Sequence, residues 1–318
     1  MSVAKNSTAI ATTDTDRTDS DKTSRSGYVG RFAPSPTGDL HLGSLYTAAA
    51  SYLDARAHGG KWLVRIENVD RTREVAGATQ AILSQLRAFG FEWDGEIVRQ
   101  SDRNERYLSA LERLTTAGLT FACTCSRAAL GGQRYPGTCR NSGAHCQRVG
   151  SQATTATRLR IEPGTIIVVD QIQGGYTQDI AAATGDLILK RRDGIIAYVL
   201  AVVTDDADQG VTHVVRGADL LEHTPAQIYL QRVLGLATPF YAHVPALVEA
   251  DGMKLAKSRR SLHLVTSAPE AQLMQVFELL GLDLTALQGG GLSRLWDRAI
   301  SRWRIEGVPK LATVRVGR

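Results

Sequence analysis

The stretch RFAPSPTGDLHLGSL, Arg31–Leu45, lies between a short apolar run and a long alanine-rich run. Pro34 and Pro36 oppose helix formation within it. Gly38 and Gly43 permit close approach of a ligand to the backbone. The apolar run predicts a strand and the alanine-rich run predicts a helix. Because free N–H groups at a helix N-terminus attract anions, we expect a phosphate site where the strand meets the helix.

The alternation of strand and helix continues beyond this stretch. Strands are predicted at Tyr28–Ala33 and Lys61–Asp70, and helices at Gly43–His58, Glu74–Phe89 and Tyr107–Leu119. Strand, helix, strand, helix is the usual start of a parallel α/β sheet. The opening stretch matches neither the GxGxxG nor the Walker A pattern, so dinucleotide binding and P-loop chemistry are not indicated.

A segment rich in cysteine, glycine and polar residues interrupts this pattern. Strand-like runs then return as TRLRI, TIIVVDQI, GDLILKRRDGIIAYVLAVVTDD and GVTHVVRG. A helix is predicted at Glu222–Leu234, followed by a strand, a loop and two or three terminal helices. The sequence therefore predicts an α/β unit that is split by an insertion and then resumed.

Composition indicates a soluble, globular protein of 318 residues, with 43% hydrophobic and 22% charged residues, and we expect it in the cytoplasm. No apolar run approaches the ~18–20 residues that span a bilayer, so no membrane association is expected. The net charge of +5 is compatible with a polyanionic partner. Residues 1–26 are rich in Ser and Thr and lack an apolar core, which predicts a disordered tail. The basic stretch 291–318 fits either a nucleic-acid-facing surface or a solvated helix face.

All four cysteines lie between positions 123 and 146. Such clustering in a chain without a secretion signal favours a metal site over a disulfide framework. Cys123, Cys125 and Cys139 are three candidate thiolate ligands for a structural zinc ion. Spacing alone leaves the fourth ligand open, with Cys146 and His145 as the nearest suitable donors.

Four stretches together resemble the class I aminoacyl-tRNA synthetases of the glutamyl and glutaminyl type. RFAPSPTGDLHLGSL resembles their first signature, with His-Leu-Gly-Ser in place of His-Ile-Gly-His, and KLAKS (Lys254–Ser258) resembles the second, Lys-Met-Ser-Lys-Ser. RIENVD (Arg65–Asp70) and DDADQGVTHVVRGADLL (Asp205–Leu221) also match this type. The resemblance implies an α/β, Rossmann-type parallel sheet split by a zinc-bearing insertion.

The resemblance also implies roles for individual residues. It assigns catalysis to His41, Lys254 and Lys257, and ATP binding to His41, Gly43 and Lys257. It assigns the glutamate pocket to Arg31, Phe32, Ala33, Pro34, Ser35, Glu67, Tyr198 and Arg216. In this pocket the two arginines bind carboxylates, Glu67 binds the ammonium group and Tyr198 donates a hydroxyl. Arginine suits such bidentate recognition of carboxylates.

The family pattern bears on three further places in the chain: the fourth zinc ligand, the second signature and the pocket segment. The family pattern Cys-x-Cys followed by Tyr-x-x-x-Cys implies Tyr135 as the fourth zinc ligand, although Cys146 and His145 stay as alternatives. Leu255 and Ala256 replace Met and Ser of the second signature, and both lysines are kept. In YVLAVVTDD, which is taken as the pocket strand, Val202 stands where the family tends to have Asn.

Chain length selects a subfamily within this type. Only 60 residues follow Ser258, which is too few for a complete anticodon-binding domain. The resemblance is therefore to the glutamyl-Q tRNA(Asp) synthetases, truncated paralogues that attach glutamate to queuosine in the anticodon of tRNA(Asp). The alternative is a glutamyl-tRNA synthetase that charges the tRNA 3′ end. We expect a monomer that uses ATP with Mg and binds the queuosine-bearing anticodon stem-loop.

The predicted organisation has five parts. They are a disordered tail (1–27), the first half of the catalytic domain (28–120), the zinc-bearing insertion (121–190), the second half with the lysine loop (191–264) and a short helical region (265–318).

Overall fold

The computed structural model describes residues 27–126, 130–131, 134–141, 154–249, 263–287 and 289–316. The predicted tail, both lysines of the second signature and the alternative zinc ligands Cys146 and His145 lie outside the described residues. In the described part of the chain, no helix combines the length and the hydropathy that crossing a membrane requires.

The first half of the chain forms a parallel sheet with its helices, as the sequence predicts. Its elements are β1 (Val29–Phe32), α1 (Leu42–Ala57), β2 (Lys61–Ile66), α2 (Ala78–Ala88), β3 (Val98–Arg99) and α3 (Asn104–Thr116). The strands pair in parallel in the order β1-β2-β3. Helix α1 is buried over most of its surface, and its alanines allow it to lie close against β1.

Two β structures occupy the middle of the chain. The strands β4 (Thr120–Cys123), β5 (Ala156–Leu159) and β8 (Leu187–Lys190) form an antiparallel sheet. The strands β6 (Thr165–Asp170) and β7 (Gly174–Asp179) form an antiparallel pair, which is followed by the short helix α4 (Ile180–Ala183). Although β6 lies within the range predicted for the insertion, it joins the sheet of the second half of the chain.

The second half resumes the parallel sheet. It contains α5 (Tyr198–Asp208), β9 (His213–Gly217), a 3-10 helix (Ala218–His223), α6 (Thr224–Leu234), β10 (Phe240–Val244) and β11 (Ala246–Val248). Strand β10 pairs in parallel with both β9 and β6, in the order β7-β6-β10-β9. The backbone N–H of Thr212 donates to the carbonyl oxygen of Val29 at 2.9 Å, so β9 begins beside β1.

The interpretation of YVLAVVTDD as a strand is wrong, because these residues open the helix α5. Its valines and threonine favour strands on propensity alone. Every residue from Leu200 to Asp206 is buried, however, and a segment buried on all sides has no polar face to reveal its period. Tyr198, Val202 and Asp206 follow one another at helical spacing. Val202 lies in the apolar core beside α6 rather than on a strand.

The C-terminal part packs back on the first half. It comprises α7 (Pro269–Leu279), α8 (Gly291–Arg302) and β12 (Thr313–Arg315). Both helices contact α1, and β12 pairs in parallel with β11. The predicted terminal helices are therefore present, and the terminal strand was not predicted. The five domain boundaries stay a prediction.

Candidate active site

The described residues enclose a cavity of about 340 Å³ at the carboxyl ends of β1, β9 and β10. Chain connections leave β1 and β9 in opposite directions there, and such switch points bind ligands in parallel α/β sheets. The predicted site residues that line it are Arg31, Phe32, Ala33, Pro34, Ser35, His41, Gly43, Tyr198 and Arg216. The structure thus brings most of the predicted pocket together.

His41 is the N-cap residue of α1, as the opening stretch predicts for the lip of a helix. Its Nδ1 accepts a hydrogen bond from the backbone N–H of Ser44 at 3.3 Å. In a neutral ring this leaves the proton on Nε2, so the ring presents a donor on its other side. Gly38, with a φ of +134°, supplies the turn before the cap. The cap, the helix N-terminus and Gly43 form the end of the cavity that suits phosphate.

Arg31 is a buried cation in the wall of the cavity. It is 4% exposed, and its Nε contacts Asp206 Oδ1 at 3.3 Å. Within the described residues its two terminal nitrogens make no hydrogen bond. A guanidinium held through Nε presents both terminal nitrogens in the geometry that a carboxylate binds. Arg31 is therefore set up to take a carboxylate from the cavity.

Arg216, at the carboxyl end of β9, is a second buried cation in the cavity. Its Nε donates to His243 Nε2 at 3.0 Å, and its Nη2 donates to Thr224 Oγ1 at 2.8 Å. Its Nη1 makes no hydrogen bond to a described residue. Burial lowers the pKa of Arg216, which reflects the cost of holding this charge away from water.

A buried ion network lies behind the cavity wall. Arg65 is fully buried and joins Glu67 at 3.1 Å to Asp206 at 2.7 Å. Burial raises the pKa of Glu67 despite the attraction of Arg65. Burial acts the same way on Asp206, but Arg31 and Arg65 outweigh it and hold the pKa of Asp206 below its usual range. This network fixes the position of Arg31.

Glu67 is the one predicted glutamate-pocket residue that does not line the cavity. It is 8% exposed, and one carboxylate oxygen is bound by Arg65. Tyr198, at the start of α5, does line the cavity, with 37% of its surface exposed. A role for Glu67 with a substrate ammonium group stays a prediction.

The far wall of the cavity was not predicted from the sequence. Asp219, Leu220 and the segment 245–247 line it. This segment includes the first two residues of β11. Asp219 lies in the stretch VVRGADLL, so the family pattern contained a signal for it. The segment 245–247 carries no motif, and only the register of β10 places it there.

The chain lies at this cavity both before and after the second signature. Leu247 lines it before the signature, and the backbone of His263 bridges that of His41 after it. Lys254 and Lys257 themselves lie outside the described residues, so their predicted roles stay predictions.

A candidate metal site lies apart from the cavity. The Sγ atoms of Cys123, Cys125 and Cys139 lie within 4.8 Å of one another, and none of the three forms a disulfide. Sulfur ligands at 2.3 Å around a tetrahedral zinc ion are about 3.8 Å apart. Cys125 and Cys139 have their Sγ atoms 3.7 Å apart, which fits that geometry.

Tyr135 lies at the same cluster, as the family pattern implies. It is buried, and its hydroxyl oxygen accepts a hydrogen bond from the backbone N–H of Cys139 at 2.6 Å. The guanidinium of Arg158 lies 3.9 Å from the centre of the Tyr135 ring. A cation over the ring compensates part of the negative charge that three thiolates and a phenolate carry. The three thiols therefore fit a metal ion such as zinc, and Tyr135 as the fourth ligand stays a prediction.

Residues 28–283 match the family described as tRNA synthetases class I (E and Q), catalytic domain. The match covers most of the chain, and the chain belongs to this family. The predicted class I synthetase catalytic fold, α/β with a parallel sheet, is confirmed, and so is the predicted class of enzyme.

Relatives with high coverage share one name. The glutamyl-Q tRNA(Asp) synthetase of Neisseria meningitidis serogroup C is 50% identical over 293 residues, which are 90% of this chain and 98% of the relative. That of Pseudomonas fluorescens strain Pf-5 is 47% identical over 292 residues, which are 91% of this chain and 96% of the relative. The predicted resemblance to this subfamily is confirmed.

A solved structure shares the fold. The crystal structure of a glutamate tRNA ligase from Elizabethkingia meningosepticum, in complex with its amino acid, superposes with a TM-score of 0.76 at 22% identity. The superposition covers 91% of this chain and 66% of that one, so the chain spans about two thirds of its length. At this identity the likeness shows the fold alone.

Proposed function

We propose that the chain activates L-glutamate with ATP and transfers the glutamyl group to queuosine in the anticodon of tRNA(Asp). The observation that carries this proposal is the pairing of Arg31 and Arg216 in one cavity with the capped N-terminus of α1. Two buried cations suit the two carboxylates of glutamate, and the helix N-terminus suits a phosphate. The common name of relatives at 47% and 50% identity supports the same substrate and tRNA.

The residues suit a two-step reaction. The α-carboxylate of glutamate attacks the α-phosphorus of ATP, giving glutamyl adenylate and pyrophosphate. Negative charge builds on the phosphate oxygens during this step, so donors fixed in advance lower the barrier. His41 and the N-terminus of α1 supply such donors, with Lys254 and Lys257 as proposed cations. A nucleophilic group of the queuosine base then attacks the carbonyl carbon and releases AMP.

Arg31 and Arg216 give this site its substrate class. Each guanidinium is held from behind by buried partners, namely Asp206 for Arg31 and His243 with Thr224 for Arg216. A fixed guanidinium discriminates a carboxylate from an amide better than a mobile one does. It cannot turn away from the NH₂ group of the amide, so two donors would face each other. Glu67 and Tyr198 complete the proposed pocket with an ammonium partner and a hydroxyl donor.

The proposal includes one structural zinc ion held by Cys123, Cys125, Tyr135 and Cys139. A bound zinc ion supplies a crosslink for a segment with little apolar core. Four protein ligands leave no open coordination position, which suits a structural role. We further propose a monomer in the cytoplasm, with ATP bound as its magnesium complex.

Transfer of labelled glutamate to tRNA tests this function. The enzyme is incubated with ATP, magnesium and bulk tRNA from cells that do or do not make queuosine. We expect label only on the tRNA that contains queuosine. Equal labelling of both preparations would instead indicate charging of the 3′ end.

A second substrate locates the label independently. Queuosine-containing tRNA that lacks its 3′-terminal adenosine cannot be charged at that end, but its anticodon is intact. We expect full labelling of this tRNA, and loss of labelling would contradict transfer to the anticodon.

A further inference from the structure

A buried acid and a buried histidine stand behind Arg216 at the carboxyl ends of three neighbouring strands. Asp170 ends β6, His243 lies in β10, and Arg216 lies in β9 directly opposite His243. The side chains of Asp170 and His243 are fully buried, and neither residue lines the cavity. The proposed reaction uses neither of them directly.

Asp170 has its two carboxylate oxygens committed to different partners. Oδ1 accepts the backbone N–H groups of Ile172, Gln173 and His243 at 2.8 to 3.0 Å. Oδ2 lies 2.5 Å from Nδ1 of the His243 ring. Although burial opposes it, the hydrogen bond with His243 holds the pKa of Asp170 below its usual range. An ionised Asp170 accepts only, so His243 must carry its proton on Nδ1.

This proton position makes Nε2 of His243 an acceptor, and Arg216 Nε donates to it at 3.0 Å. Burial lowers the pKa of His243, the charges of Arg216 and Arg31 act in the same direction, and Asp170 opposes them without reversing the shift. The ring is thus held neutral with a defined tautomer. Thr224 Oγ1 accepts from a second nitrogen of Arg216, Nη2, so His243 and Thr224 together fix the plane of the guanidinium and the direction of Nη1.

We infer that Asp170 and His243 are positioning residues that orient the Arg216 guanidinium toward the carboxylate of the amino-acid substrate. The inference rests on the proposed function and deepens it, because it assigns discrimination of glutamate to residues outside the cavity. An Arg216 that is free to rotate would bind glutamate more weakly and distinguish it less well from glutamine. Binding of ATP, at the other end of the cavity, would not change.

Asp170→Asn is the decisive variant, since it preserves volume and changes one acceptor into a donor. Three backbone N–H groups require an oxygen at the Oδ1 position, so the new NH₂ group must face His243. The ring then accepts at Nδ1 and carries its proton on Nε2, where it meets the Nε–H of Arg216. Two donors now face each other, and Arg216 must turn away.

Two further variants separate positioning from general damage. In His243→Gln the amide can donate to Asp170 and accept from Arg216, which keeps both hydrogen bonds. In Asp186→Asn another buried acid is changed, one that accepts the backbone N–H of Ile161 beside the small antiparallel sheet. Both variants are expected to keep the wild-type affinity for glutamate.

The measurement is glutamate-dependent exchange of labelled pyrophosphate into ATP, with tRNA present, over a range of glutamate, glutamine and ATP concentrations. For Asp170→Asn we expect the KM for glutamate to rise by about tenfold to a hundredfold, the ratio of kcat/KM for glutamate over glutamine to fall, and the KM for ATP to stay unchanged.

Three results would overturn the inference. They are an unchanged KM for glutamate in Asp170→Asn, an equal rise of the KM for ATP, and a His243→Gln enzyme as impaired as Asp170→Asn. The activity of the wild type separates the proposed function from the positioning role of Asp170 and His243. A wild type without glutamate-dependent exchange contradicts both, whereas an active wild type matched by Asp170→Asn contradicts the positioning role alone.

Discussion

The indole Nε1 of Trp303 donates a hydrogen bond to Asp54 Oδ1 at 2.8 Å, although 249 positions separate the two residues. Asp54 is 1% exposed and lies near the end of α1, and the hydroxyl of Tyr28 donates to its other oxygen. One buried carboxylate thus joins the C-terminal region to the first helix and to the residue that precedes the first strand. Burial raises the pKa of Asp54 despite these two donors.

Trp303→Phe should therefore lower the free energy of unfolding by about 2 kcal/mol, because a buried carboxylate loses one of its two donors. Urea unfolding monitored by circular dichroism measures the change. Trp296→Phe is the matched control, since its indole donates to the uncharged carbonyl of Phe89 at 2.9 Å and is similarly buried. A loss in Trp303→Phe no larger than in Trp296→Phe would contradict the special role of Asp54.

Arg31→Gln should raise the KM for glutamate by about tenfold to a hundredfold, because a charge-assisted bond to the substrate carboxylate is lost. The KM for ATP should not change. Pyrophosphate exchange measures both constants. Arg106→Gln is the control, since that side chain is 70% exposed and only approaches Asp208 at 3.9 Å. A glutamate KM in Arg31→Gln equal to that of the control would remove Arg31 from the pocket.

Tyr135→Phe should reduce the affinity for zinc by at least about tenfold, because one of four ligands is lost. Competition with a chromogenic chelator measures this, and metal analysis of the purified protein gives the stoichiometry. Cys146→Ser should keep the zinc. The reverse pattern, with zinc kept in Tyr135→Phe and lost in Cys146→Ser, would assign the fourth position to Cys146.

Stability should fall as the pH falls from about 6.5 to about 4, in part through His213. Burial, with a smaller effect of His58, lowers the pKa of His213 from 6.5 to about 4. The unfolded chain therefore takes up a proton in this window that the folded chain does not, so acid favours unfolding. His213 is only partly buried, and its share is about 1–2 kcal/mol.

Urea unfolding at pH 7 and pH 4.5 isolates this share. His213→Gln should lose less stability between the two pH values than the wild type loses. His223→Gln, which changes an exposed histidine, should behave as the wild type does. An identical pH dependence in His213→Gln and the wild type would show that other groups cause the acid sensitivity.

Local sequence was sufficient to predict the first strand and the first helix of the fold. The prolines and glycines between Arg31 and Leu45 prevent helix until His41, and the alanines after it favour helix, so β1, α1 and the cap could be predicted. Side chains of both elements enter the cavity because β1 ends there and α1 begins there. Arg31 and His41 could therefore be predicted from sequence as residues of the site.

Residues that meet only because their strands pair could not be predicted from local sequence. Asp170 and His243 are 73 positions apart, and they meet because β10 pairs with β6. Neither lies in a signature, and the order of strands cannot be read from local periodicity. The same limit applies to Asp206, whose helix was interpreted as a strand. Partners that lie behind a site thus escape prediction even when the residues that line its cavity do not.

The parallel pairing of β11 with β12 also orders events during synthesis. Leu247 in β11 lines the cavity, and its pairing partner Val314 is made 283 positions after Arg31, the first residue of the cavity wall. A ribosome-bound chain that ends before β12 has the arginines and the helix cap but an unpaired wall strand. Such a chain presents an incomplete wall, so the complete wall forms only after β12 has been translated.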